Sequence, residues 1–477
     1  MILNKKDIVN YLIMFAITIS IGMMPCVGSI TPLGMQILGI FVGAVYGLIK
    51  IGTIPVSLIG LIAIAMTGYK PILSLLSLSF SNMTIVIILV SVIFSGAIAQ
   101  TKCIDVVAKA LLTSKFARKD SWNLVLVIFV LAALGHICDM MFVTIFLLWN
   151  LVIKLADQCG YERKSMFVTY LIVMISVIAV STGIMLPWRP FVLSQIIFWN
   201  PAMYETFPYA KHMLVVFVYL IVFVASMIAI GKYILRMDIS NFKLSDEVIK
   251  EYEEMEVGPV QRFGLISIVL FAAIMLASSF LPTGSFAAVL FNKFGLVGTT
   301  IVFLVAFTLF EDENGNKIIS IDECHKLIPW SVIWLLLFIY SLCDAMQNDS
   351  CGIMVTITNF VLPIFENGNI IVLMVISLVV ISVLTQIFNN VALAAVFMPI
   401  LYTMCSEFGG NTYIFFIVLM LVLNCDATTP AGSLSGAMCH AHEHVNKKHV
   451  YLFGLLASLL TIIICLVIVL PFGMLIC

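Results

Sequence analysis

Long apolar runs alternate with short polar ones along almost the whole chain. Stretches apolar enough for membrane-crossing helices fall at about 8–26, 31–50, 53–68, 82–100, 122–157, 166–198, 212–236, 262–282, 294–310, 329–363, 370–406, 412–438 and 450–476. A crossing needs about 20 such residues, because a helix rises ~1.5 Å per residue through ~30 Å of hydrocarbon. Polar residues interrupt the runs in the same order in two halves. Phe94-Ser95, followed by QTKCID, parallels Tyr340-Ser341, followed by MQNDSCG. Asp139, in LGHICDMMFVTIFLLWN, stands where TQIFNNVALAAVFMPI carries Asn389 beside Asn390, with Pro399 closing that stretch. The proline-broken segments STGIMLPWRP (181–190) and NCDATTPAGS (424–433) follow in turn. The offsets between the pairs are about 246, 250 and 243, which predicts an internal repeat.

The basic residues orient the pattern. With a cytoplasmic N-terminus, and with 122–157 and 370–406 as re-entrant hairpins, one side holds Lys5, Lys6, Lys50, the Lys102–Lys119 cluster, Lys154, Arg163, Lys164, Arg236, Lys243, Lys250, Arg262, Lys317, Lys326, Lys447 and Lys448. The other side keeps Lys70, Lys211 and Lys293. This asymmetry follows the positive-inside rule and leaves eleven spans, the first plus two sets of five. An odd number per set makes the second inverted relative to the first. The expected organisation is a first helix in 1–30; repeat 1 in 31–236, with hairpin 122–157 and broken helix 166–198; a linker at 237–261; and repeat 2 in 262–477, with hairpin 370–406 and broken helix 412–438.

Composition excludes most other classes. Of 477 residues, 62% are hydrophobic and 10% charged, and mean hydropathy is +1.17, so an all-α polytopic membrane protein is predicted. The 24 Lys+Arg against 25 Asp+Glu give no sign that would favour nucleic acid; the expected partners are membrane lipid and a small solute. The twelve cysteines lack CxxC spacing and read as buried thiols. The N-terminal run has no small-residue cleavage site and reads as a retained span, placing the chain in the cell membrane. The linker MDISNFKLSDEVIKEYEEMEVGPVQ is charged and reads as a cytoplasmic helix. EDENGNKIISIDECHK, with Asp312, Asn314 and Asn316, lacks the glycine and terminal glutamate of a calcium loop and reads as an exposed turn.

Polar groups at membrane depth mark a site, since unpaired they cost several kcal/mol in lipid. Pro187 and Pro430 each sit within a long apolar run, where proline suits the first position of a new half-helix. The free amides of such a half-helix attract an anion, and carbonyls of the unwound part can hold a cation. Thr428, Thr429 and Ser433 add hydroxyls, and Gly432 permits close approach. Arg189 could fork onto a carboxylate, or balance Asp139 or Asp426 as an internal salt bridge. Asp139 and Asp426 are intramembrane carboxylates, candidates with Ser181, Thr182 and Asn389 for a coupling ion, sodium or a proton. His136 and Gln386 occupy matching places beside the two tips. In CHAHEHVNKKH (439–449), His440 and His444 are spaced for one helical face, but the run reads as a solvated basic loop rather than a metal site.

DECHKLIPWSVIWLLLFIYSLCDAM (322–346), FNNVALAAVFMP (388–399) and TTPAGS (428–433) resemble the divalent anion:sodium symporter (DASS) family of the ion transporter superfamily, and the layout matches over nearly the whole chain. The resemblance implies a homodimer with a scaffold and a moving transport domain, working as an elevator. It further implies a site between two hairpin tips and two broken helices, di- or tricarboxylates or sulfate as substrate, and sodium at the tips. The family's tips each carry Ser-Asn-Thr; here they read Cys138-Asp139-Met140 and Phe388-Asn389-Asn390, so the tip hydroxyls are missing.

The expectation is a secondary active carrier, not an enzyme, for a small organic anion, coupled to sodium or protons and needing no other cofactor. Substrate contacts fall to Arg189, Asn389, Asn390, Thr428, Thr429 and Ser433; coupling-ion contacts fall to Asp139, Ser181, Thr182, Asn389 and Asp426. The alternative is a sodium/proton antiporter of the same superfamily, in which Arg189 only balances charge. A zinc metalloenzyme and a channel are the remaining, weaker readings.

Overall fold

The computed structural model describes every residue except 1–4, 82, 139, 205–206, 279, 282–284, 310, 312–316, 318, 321–322, 325, 327, 329, 354, 357–369, 387–389, 431 and 477. Asp139 and Asn389 therefore lie outside the described residues, as do Asp312, Asn314 and Asn316 of the acidic segment. The described chain is helical, with one isolated bridge between Glu311 and Lys317.

The first half runs α1 (Lys5–Gly22), α2 (Pro32–Lys50), α3 (Thr53–Met66), α4 (Ile72–Phe80), α5 (Met83–Gln100), α6 (Ile104–Leu112), α7 (Lys115–Lys119), α8 (Ser121–Ile137), α9 (Met141–Gln158), α10 (Met166–Thr182), α11 (Pro190–Trp199) and α12 (Tyr209–Ala229). After α13 (Asp246–Glu254) come α14 (Pro259–Ser278), α15 (Phe286–Thr308), α16 (Trp330–Gln347), α17 (Ile370–Leu384), α18 (Asn390–Glu407), α19 (Thr412–Leu423), α20 (Leu434–Ala441), α21 (Lys447–Ile464) and α22 (Leu470–Ile476).

Among the described residues five helical stretches are long and apolar enough to cross a membrane: 141–158, 166–185, 209–234, 259–277 and 447–476. A sixth candidate is the pair 89–100 and 104–119, bent by 48°. The other apolar helices among the described residues are shorter, at 10–17 residues. The two runs expected as broken helices, 166–198 and 412–438, are each divided in the middle. Pro399 does not close its segment: α18 continues through it to Glu407, and the Thr403 hydroxyl donates to the Pro399 carbonyl at 3.1 Å.

The chain divides into two compact units. One comprises residues 1–86, 329–374 and 391–410. Its first helices pack backbone to backbone because α2 carries Gly39, Gly43 and Gly47 on one face. A Cβ at Gly39 would stand 2.4 Å from the Thr18 carbonyl oxygen, and one at Gly43 only 2.0 Å from Thr18 Oγ1. Small residues at four-residue spacing are the usual means of such close approach in lipid, where no hydrophobic force drives helices together. In the same way Gly60 of α3 receives the Phe338 ring of α16. Lys70 pairs with Asp344 at 2.7 Å in this unit.

The other unit comprises residues 87–328, 375–390 and 411–477. α10 and α19 are apolar all round and buried all round, as a helix without a polar face must be. α12, α14 and α21 instead leave large apolar side chains open, among them Phe217, Ile221, Ile266, Leu455 and Ile463, as helices facing hydrocarbon do. The linker helix α13 is pinned by Arg118 to Glu253 (2.7 Å) and Lys154 to Glu251 (3.1 Å).

Candidate functional site

Both divided helices lie in the second unit. α10 ends at Thr182, passes through a 3-10 turn at Gly183–Met185, and resumes at Pro190 as α11. α19 ends at Leu423 and the chain resumes at Leu434 as α20. The half-helices thus begin later than Pro187 and Pro430. Arg189 is extended (φ −71°, ψ 143°), as a residue before proline should be, and Pro190 takes the first helical position where its missing N–H costs nothing. On the other side Ser433 caps α20, accepting the Gly436 N–H at 3.0 Å, a role proline cannot fill.

The second break carries the polar centre. Asp426 is buried, and Asn390, the first residue of α18, donates from Nδ2 to its Oδ2. The Ser433 hydroxyl faces the same carboxylate. Thr385 Oγ1 lies 2.7 Å from Asn390 Oδ1 and 2.6 Å from the Leu423 carbonyl. Glycine is needed at 432 because a Cβ there would come within 2.6 Å of the Asp426 carbonyl and 2.7 Å of the Thr385 carbonyl.

The predicted hydroxyls divide in their use. Thr429 donates to the Gln386 carbonyl. Thr428 gives its N–H to Gln386 Oε1 at 3.1 Å, and its carbonyl accepts from His440 Nε2 at 3.0 Å. Its own Oγ1 is buried with no hydrogen-bond partner among the described residues. At the first break, Thr182 turns its hydroxyl back to the Ile178 carbonyl at 2.8 Å, so that proton is spent within α10. Ser181 faces the Tyr219 hydroxyl, which also lies 2.9 Å from Thr461 Oγ1 and near Cys425 of the second break. Arg189 is buried at the start of α11, within electrostatic reach of His136 and Cys138, the residues just before Asp139.

Two residues are more deeply involved than the sequence reading made them. Gln386 donates from Nε2 to the Cys425 carbonyl (2.8 Å), while that nitrogen also lies near the Ser382 carbonyl (3.1 Å). His136, 250 positions earlier, engages the Ala179 carbonyl through Nδ1 and fills the space a Cβ at Gly183 would need. The reading of 439–449 as a solvated loop is corrected. Cys439 and His440 belong to α20 and are buried, Cys439 Sγ donating to Ser176 Oγ at 3.3 Å. α20 ends at Ala441, so His440 and His444 do not share a helical face; His442 instead packs edge-on against Trp149. The charged neighbours Glu443, Lys447 and Lys448 masked that burial in the sequence. The eleven described cysteines are free thiols.

The breaks are therefore of opposite character: a buried arginine at a helix start without a side-chain cap at the first, a buried carboxylate beside Asn390 and Ser433 at the second. The model of a citrate transporter family matches residues 44–423. The chain belongs to the citrate transporter family. That agrees with the anion-transporter resemblance carried by the sequence motifs, and with a multi-pass membrane protein that acts as a transporter. Among solved structures, the Alcanivorax borkumensis YdaH transporter, described as having an unusual topology, shares the fold: TM-score 0.60 at 13% identity, over 98% of this chain and 97% of that one. No curated protein matches the chain in sequence.

Proposed function

We propose that this member of the citrate transporter family is a secondary active carrier for a di- or tricarboxylate such as citrate, coupled to sodium or protons. The observation that carries the reading is the separation of charge between two helix breaks in one compact unit. Arg189 and the open amides of α11 suit a carboxylate, since a guanidinium binds it in bidentate fashion and the helix start adds partial positive charge. Asp426, buried among neutral partners, suits a cation or proton, because a carboxylate in that setting is costly until it is neutralised. Asp139 and Asn389 would join Asp426 as ligands of the coupling ion. The unit holding both breaks would move as the elevator car, within a homodimer in the cell membrane, its N-terminus cytoplasmic and its repeats inverted.

Uptake of labelled citrate, succinate and sulfate into proteoliposomes, with sodium and proton gradients set separately, tests this. Carboxylate accumulation driven by one of the gradients is expected. The setting of Asp426 among the neutral donors Asn390 and Ser433 also favours a second reading, sodium/proton exchange. Sodium-driven proton movement with no anion accumulation would replace the first reading by the second.

A further inference from the structure

Gln386 touches the unwound segment with both its side chain and its backbone. Its side-chain amide pairs with that segment as another peptide would, Nε2 donating to the Cys425 carbonyl at 2.8 Å and Oε1 accepting the Thr428 N–H at 3.1 Å. The Gln386 backbone carbonyl takes the Thr429 hydroxyl as well. Cys425 O and Thr428 N are backbone groups that a continuous helix would satisfy internally and the break leaves open. In a membrane interior each such group needs a partner. Ser458 of α21 supports the same point, its Oγ donating to Cys425 O at 3.1 Å and lying 3.4 Å from Gln386 Nε2.

We propose that Gln386 is the positioning residue of the second tip: a two-point clasp that fixes the hairpin to the unwound segment and so sets Asn390 against Asp426. Two facts join the clasp to that pair. Thr385, adjacent in the chain, holds Asn390 Oδ1, and Asp426 lies between the clasped residues Cys425 and Thr428. Losing the clasp frees both ends of the Asn390–Asp426 contact at once. The part concerning ions rests on the reading of Asp426 as the coupling group; the clasp itself does not.

Two measurements test it on the full-length protein. Hydrogen exchange of peptides covering 424–433, in detergent, reads the clasp without any transport. Gln386→Ala is expected to raise exchange there about tenfold, with peptides from α10 unchanged. In proteoliposomes the same variant should raise the half-saturating concentration of the driving ion about ten- to a hundredfold while the rate at saturating ion stays within about threefold. Gln386→Glu supplies a signature that lost packing cannot: only the protonated acid retains a donor for Cys425 O, so its ion affinity should approach wild type as pH falls. Unchanged exchange at 424–433 would overturn the clasp. A fall in maximal rate with no change in ion affinity, or a Gln386→Glu deficit independent of pH, would overturn its positioning role. If the wild-type protein moves no carboxylate, the proposed function fails and the exchange result alone decides the clasp.

Discussion

Thr385 has one hydroxyl proton and two acceptors, Asn390 Oδ1 and the Leu423 carbonyl, so it can serve only one at a time. Thr385→Val removes the donor to both, leaving polar atoms unpaired in an apolar surrounding. The expected cost is about 1–3 kcal/mol, read as a lowered thermal midpoint in detergent. Asp426→Asn is a cleaner probe of function than of stability, because an amide oxygen can still accept from Asn390 Nδ2. Uptake by that variant should lose its dependence on the driving ion; retention of a wild-type ion response would remove Asp426 from the coupling role. Asp426 and Asn390 were legible in the sequence because an ionisable or amide group inside an apolar run is expensive and must have a reason. Gln386 and His440 were legible only as polar letters. What makes them important is bonding to Cys425, Thr428 and Thr429 across gaps of 12 to 43 residues, and no local pattern encodes those contacts.

At the scale of elements, the breaks in α10–α11 and α19–α20 were readable from proline within long apolar runs. Their exact restart was not, because each segment offers competing starts. Arg189-Pro190 satisfies the backbone constraint of proline at the first helical turn, and Ser433 offers a side-chain cap that Pro430 cannot. Ser433→Ala should cost about 1 kcal/mol by uncapping α20. A larger effect is expected at Gly454 of α21, where a Cβ would stand 2.4 Å from Thr428 Cα and 2.8 Å from its nitrogen. Backbone cannot yield there as a flexible side chain would, so Gly454→Ala must displace the unwound segment. Initial uptake rates are expected to fall at least tenfold while the protein still reaches the membrane. A wild-type rate would show that this packing does not position the break.

Across the whole molecule, neither sequence half forms a unit of its own. The first unit joins 1–86 to 329–374 and 391–410, with Thr31 Oγ1 donating to the Ser350 carbonyl at 2.6 Å and Lys70 paired with Asp344. The second joins both halves again through Tyr219 with Thr461 and the Asn446 N–H on Thr169 Oγ1 at 3.1 Å. The linker helix α13 is tied to residues on its own N-terminal side, Arg118 and Lys154, by exposed ion pairs that are individually weak. Its covalent link to the second half should therefore be dispensable, since buried packing between halves outweighs what one peptide bond contributes by keeping them close. Co-expression of residues 1–256 and 257–477, split after Glu256, is expected to give two fragments that copurify through a tag on either one and that together restore uptake in proteoliposomes. Recovery of the tagged fragment alone from mild detergent would show that the halves depend on the linker to find each other, and that the interleaving seen in the two units forms only within one continuous chain.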